Sequence, residues 1–255
     1  MINKMKLKKI GIGLGLMSTL LFVQCDVLED VASTVMTPTE EGVTKPSLTN
    51  DEVIAGLKEA LTIGIQNGAN KASMTDGFLK NDLIKLPFPP SAIKAKEWAE
   101  GKPLLAPKIT EITENLNHAA EGASKKAAPI FVDAIKNMSI GDGFAILKGT
   151  DSSATMYLQE HTTSKLVTAF KPIVQTAIDA LPLTEKWDNV AKPYNVYAGF
   201  ANKPEVTTDL NAYVTERGIK GLFFLVKQEE KKIRKDPVAQ VTDLLKKVFG
   251  SLLGQ

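Results

Sequence analysis

The chain has 255 residues, 44% hydrophobic and 24% charged, the balance of an ordinary globular protein rather than a disordered or collagen-like one. One cysteine and two histidines leave no material for an internal disulfide, a multi-cysteine metal site or a histidine-rich one. The formal net charge is +2, but Lys4, Lys6, Lys8 and Lys9 carry all the charge before Cys25; removing those four from 31 basic residues leaves 27 against 29 acidic ones. A balance of −2 offers no basic domain for nucleic acid.

The four lysines precede an uncharged, largely apolar run over residues 10–23, too short to cross a hydrocarbon core about 30 Å thick but of the right length for a secretory leader. The lone Cys25 ends this run. The arrangement resembles the bacterial lipoprotein signal, in which the cysteine is acylated and becomes the first residue after cleavage. Gln24 departs from that pattern, where a small residue is usual. The expected organisation is a signal peptide over 1–24, a lipid-anchored flexible tether over 25–48 and a helical domain over 49–255. Two or three acyl chains at about 0.8 kcal/mol per buried methylene make a firm anchor. Asp26, Glu29 and Asp30 follow the cysteine. In enteric bacteria an aspartate there resembles an inner-membrane retention signal, and elsewhere such acidic residues resemble a surface-export signal. The expected location is the bacterial cell envelope, lipid-anchored at the outer membrane on its periplasmic or surface face.

Residues 26–48 are rich in Thr, Ser, Glu and Pro without sustained periodicity, and as a random coil would span about 25–30 Å. At Thr49 the pattern changes. Thr49 and Glu52 have capping-box spacing, and Val53, Ile54, Leu57, Ala60, Leu61, Gly64 and Ile65 then recur at three- and four-residue steps. Gly77 and the prolines at 87–90 interrupt, and a short helix is expected over 91–100. Leu105, Ile109, Ile112, Leu116, Ala119, Ala123 and Ala127 form the next stripe, with Glu111, Glu114, His118 and Glu121 on the opposite, solvated side. Pro129 should kink or restart that helix.

Gly141, Gly143 and Gly149 bracket a short helical turn. A long helix from about Asp151 turns Leu158, Leu166, Phe170, Val174 and Ile178 inward and should bend at Pro172. A shorter helix over 185–198 leads to a loop ending near Thr208. Leu210, Val214, Gly218, Gly221 and Leu225 line another, followed by a mixed-charge run over 229–237 that reads as a solvated helix end. Asp236 and Pro237 resemble a helix start for a final amphipathic segment over 238–252. No alternating strand pattern and no fixed-period repeat occurs. The fold class expected is all-α, a single domain of seven to nine helices.

Local catalytic motifs are absent: no phosphate-binding loop, no nucleophile elbow and no HExxH pair. Gly11, Gly13 and Gly15 lie in the leader. Glu114, His118 and Glu121 share a helix face and offer metal ligands, but a solvated face accounts for them without one. The reading calls for no metal and no cofactor. His161, with Tyr157 one turn earlier, sits at the edge of an apolar stripe, where it suits a boundary hydrogen bond or a ligand contact. Gly218 and Gly221 each cost about 1 kcal/mol against alanine inside a helix. Their use is a close helix crossing or a notch for a ligand. Tyr157, His161, Gly218 and Gly221 are therefore the candidate ligand-binding residues, and Cys25 the lipidation site.

Four stretches carry a wider likeness: residues 48–65, 75–89, 129–149 with the following SSATMYL, and 210–237. Together they resemble the bacterial lipoproteins grouped as domain of unknown function 4197, a likeness covering nearly all of 48–250. It implies a helical, envelope-located domain and transfers no catalytic residue. Alanine is more usual in that family at Gly143 and at Ser153. The expected function is a non-enzymatic module, attached to the membrane through Cys25, that binds an envelope protein, lipid or small apolar ligand. The alternative is an envelope hydrolase using His161 with a carboxylate.

Overall fold

The computed structural model describes residues 49–235, which lie within one compact unit. These residues form eight α-helices and one 3-10 turn, with no strand among them. The expected lipidation site Cys25, the expected leader and tether, and the final helix expected over 238–252 lie outside the described residues.

Helix α1 (Asn50–Ser73) begins as its sequence dictates: Thr49 Oγ1 accepts from Glu52 N at 3.2 Å, and Glu52 Oε2 accepts from Thr49 N at 2.8 Å. Gly56, Ala60, Gly64, Gly68 and Ala72 recur every four residues and are all buried. That row of small residues brings the backbone of α1 against α8 (Leu210–Lys235). A methyl group added to Gly68 would lie 3.6 Å from the Leu225 backbone.

Residues 74–92 hold little regular structure, yet Phe78, Ile84, Leu86 and Phe88 are buried. Asp76, at φ 64°, opens this segment in the left-handed region that aspartate tolerates better than most residues. Gly77 then passes so close to the end of α1 that a Cβ there would fall within 2.3 Å of the Lys71 carbonyl oxygen. A buried loop must find partners for its backbone groups. Helix α3 (Ala106–Ser124) supplies them. Glu121 Oε1 accepts from Phe78 N at 3.0 Å and Leu79 N at 3.2 Å, and Asn117 both accepts from Leu86 N at 2.8 Å and donates to its carbonyl at 3.1 Å.

The 3-10 turn Pro90–Ala92 leads into α2 (Ile93–Glu100). The long stripe after Leu105 is divided: α3 stops at Ser124, and α4 (Ala127–Lys136) restarts with Pro129 in its first turn, where a missing N–H is harmless. Helix α5 (Ile140–Lys148) opens with a second capping box, Ser139 with Asp142, whose Oδ2 accepts from Ser139 N at 3.1 Å. The Ser139 bonds hold the Asp142 carboxyl below its ordinary pKa, and the nearby His161 adds to the effect. Helix α6 (Ser153–Ala180) runs through Pro172, α7 (Leu183–Phe200) through Pro193, and both prolines are exposed, away from the packed faces. Helix α8 crosses α1, α3 and α6 at the centre of the molecule.

Two expectations of solvated charge are overturned. Glu121 is 5% exposed, because the 74–92 segment folds over the face of α3 that periodicity assigns to water. Residues 229–235 of the mixed-charge run form the last two turns of α8, and Glu229 and Glu230 are 7% and 4% exposed. Glu229 pairs with Lys71 of α1. Glu230 accepts from Ala154 N at 3.0 Å, Thr155 N at 2.9 Å and Thr155 Oγ1 at 2.7 Å, so it caps the start of α6 from another helix. Arg234 closes the junction: it donates to Glu230 Oε1 at 3.0 Å and to the Ile146 carbonyl at the end of α5 at 2.8 Å. A negative group at one helix start and a positive one at the preceding helix end thus share one ion pair.

Candidate functional site

The four residues singled out on α6 and α8 do not converge on one cavity. Gly218 faces α3, where an added Cβ would stand 3.5 Å from Ala120 Cβ and 3.7 Å from Phe170 Cε1. Gly221 faces the 74–92 segment, where a Cβ would lie 2.7 Å from Phe78 Cε1. The ring of Phe78 therefore fills the notch. His161 is exposed; its Nδ1 lies 2.8 Å from the Tyr157 carbonyl and its ring stacks on Tyr157 with centroids 4.1 Å apart. Partial burial first, then the charges of Asp142 and Glu160, raise the Tyr157 phenol above its ordinary pKa. Asp142, a carboxylate near enough for His161 to influence its charge, is committed to the capping box of α5.

His118 and Glu121 do meet, Nδ1 to Oε2 at 2.8 Å, while Glu114 is exposed. No group of three or more His, Cys, Asp or Glu side chains is disposed to hold a metal ion among the described residues. No buried side-chain nitrogen or oxygen among them lacks a hydrogen-bond partner. Nor is any of their helices long and apolar enough to cross a membrane.

Gly221 borders a concavity of about 210 Å³ with Leu83, Ile84, Lys85, Arg217 and Phe224, and two larger concave features are lined by none of the four residues. One is a groove of about 310 Å³ between the antiparallel α6 and α8, floored by Val167, Ile219 and Phe223 with Lys171, Glu216 and Lys220 at the rim. The other is a cleft of about 490 Å³ between α2 and α7, within the range of about 300–1,000 Å³ usual for ligand sites. It is the more chemically varied of the two.

Each wall of the cleft follows from local sequence. In α2, Ala95 and Ala99 pack inward with no exposure, which leaves Lys94, Glu97 and Trp98 on the flank facing α7. In α7, Val190, Ala191, Tyr194 and Ala198 are buried, while Pro193, Val196, Tyr197 and Phe200 form an exposed row at helical spacing. Phe200 is 90% exposed and Val196 64%. Trp98 stacks on Tyr197 at 5.8 Å between centroids and meets Tyr194 edge-on at 5.9 Å.

The third wall is the segment after α7, and it is pinned. Asn202, at φ 49°, turns the chain, and Lys203 N donates to the Ala198 carbonyl at 2.8 Å, the six-to-one bond that commonly ends a helix. Asn195 then clamps Val206, accepting from its N at 2.9 Å and donating to its carbonyl at 3.1 Å. Tyr194 Oη donates to the Pro204 carbonyl at 3.3 Å. This sets Lys203 beside Tyr197, its Nζ 5.2 Å from the ring centroid and 3.2 Å from the hydroxyl. Outside the cleft lining, Lys102 Nζ lies 4.4 Å from the Trp98 ring centroid. Exposed contacts of this kind are worth about 0.5–1 kcal/mol each, so the lysines are held loosely. Lys94 pairs with Glu97 at 3.1 Å.

Sequence reading did not single out this cleft. Trp98 and Tyr197 lie about a hundred positions apart, and neither sits in a motif. The available signals were Val196, Tyr197 and Phe200, apolar residues at helical spacing on a face the inward stripe does not use.

No curated protein and no solved structure matches the chain. A family model does, over residues 47–250, which include every helix described above: the protein of unknown function family DUF4197. The chain belongs to that family.

Proposed function

We propose that this chain is a lipid-tethered, non-enzymatic module of the bacterial envelope, anchored at Cys25, whose helical domain recognises an envelope component through the α2/α7 cleft. One observation carries the reading. The cleft is lined by Trp98 and Tyr197, both partly exposed, and by the buried Tyr194, and Phe200 stands 90% exposed one turn along α7 from Tyr197, on an otherwise well-packed domain. Large aromatic side chains left at the surface around a concavity mark a recognition surface more often than a packing surplus. The ionisable groups deepest in the domain support the same reading, since Glu121, Glu229 and Glu230 are spent on joining loops and helices.

The anchor and the cleft are tested together in native membranes. Cys25→Ala is expected to move the chain from the membrane fraction to the soluble fraction. A photoreactive phenylalanine in place of Phe200 is expected to form a covalent adduct with an envelope component, while the same group in place of Met156, exposed on α6, is not. Membrane retention of Cys25→Ala counts against the anchor, and adducts from position 156 alone count against the cleft.

A further inference from the structure

We infer that the α2/α7 cleft takes an acidic saccharide: a sugar ring packed against the Trp98–Tyr197 pair, with its carboxylate or phosphate held by Lys203 and Lys94. The inference rests on the cleft being the recognition face and goes further in naming what it recognises. The charge lining the cleft is unbalanced: Lys94 and Lys203 stand against the single carboxylate of Glu97, which pairs with Lys94 at 3.1 Å and leaves the Lys203 ammonium as the excess. A neutral ligand leaves that excess unused, and a cationic one is repelled by it.

The walls then select among anions. Trp98 and Tyr197 present flat apolar surface suited to the C–H face of a ring, while the Tyr197 hydroxyl and the Lys203 ammonium supply polar groups at its margin. A fatty acid satisfies the first set and wastes the second. Inorganic phosphate does the reverse. A sugar bearing an acidic group uses both.

Lys203 adds selectivity by charge. Its Nζ lies 3.2 Å from the Tyr197 hydroxyl and 5.2 Å from the ring centroid, so it stands at the hydroxyl edge of the ring and not over its face. An acidic group on a sugar packed against the ring reaches that ammonium at the margin, and a neutral sugar gains no ion pair there, so the site discriminates by charge although its contact area is aromatic.

Calorimetric titration of the full, detergent-solubilised chain tests this with three probes of equal length. They are a wall-type glycan fragment carrying lactyl carboxylates, a glucosamine oligomer carrying phosphate, and neutral N-acetylglucosamine oligomer. At least one acidic probe is expected to bind ten-fold or more tightly than the neutral one; which of the two does so separates a wall source from a phosphorylated-glycan source. Lys203→Met is expected to weaken the acidic probe about ten-fold and leave the neutral one unchanged. Trp98→Ala should abolish binding, and Trp98→Phe, which keeps a ring, should retain it within a few-fold. Equal binding of acidic and neutral probes, no binding of any, or binding that survives Trp98→Ala overturns the inference. A Phe200 adduct to an envelope protein, with no saccharide bound, overturns this inference alone and leaves the binding-module reading standing.

Discussion

Glu230 shows how much one side chain holds. Its carboxylate is nearly buried, satisfies two backbone donors at the start of α6 and neutralises Arg234, which in turn reaches the last carbonyls of α5. Removing one partner of a buried pair leaves the other charge without compensation, at a cost of about 3–5 kcal/mol. Glu230→Ala is therefore expected to lower unfolding free energy in urea by about that amount. Glu230→Gln keeps an acceptor for the α6 backbone and should lose less. A change below about 0.5 kcal/mol in the alanine variant would show that the junction is not what fastens α5 and α6 to α8. The charge run containing Glu230 reads as a solvated helix end in isolation because its partners, Ala154, Thr155 and Ile146, lie more than seventy positions upstream. Only the fold brings them together.

At the scale of elements, the helices were legible and their crossings were half-legible. Capping at Thr49, the restart at Pro129 and the inward faces of α3, α6 and α8 follow from spacing alone. Glu121 is the counterexample. Periodicity reports which side of a helix is polar, and it is silent on whether a loop from elsewhere will cover that side. The two glycines of α8 mark the same boundary. They are three positions apart on one stripe and look alike in sequence, yet Gly218 has room for a methyl group and Gly221 has Phe78 in the way. Gly218→Ala is expected to stabilise the domain by about 0.5–1 kcal/mol, through helix propensity and a less free unfolded chain. Gly221→Ala should destabilise it by about 1–3 kcal/mol, by pressing on Phe78 and the loop that α3 holds. Thermal unfolding of the pair decides the matter, and shifts of the same sign would show that the stripe behaves as one surface.

For the whole molecule, the division of labour is spatial. Helices α1, α3, α6 and α8 pack around the centre and spend their buried charge on one another. Helices α2 and α7 sit to one side against α3, with a concavity of their own and aromatic side chains left toward solvent. This asymmetry was invisible in the sequence, because a cleft assembled from distant helices has no local motif. It sets a core that resists change beside a face suited to recognition, and the proposed role depends on that face.

The most direct test is hydrogen exchange on the full, detergent-solubilised chain, with and without solubilised envelope extract. The account predicts slowed exchange concentrated in residues 93–102 and 194–206, with 159–171 and 212–223 unchanged. Protection confined to the α6/α8 groove, or protection nowhere, would contradict it.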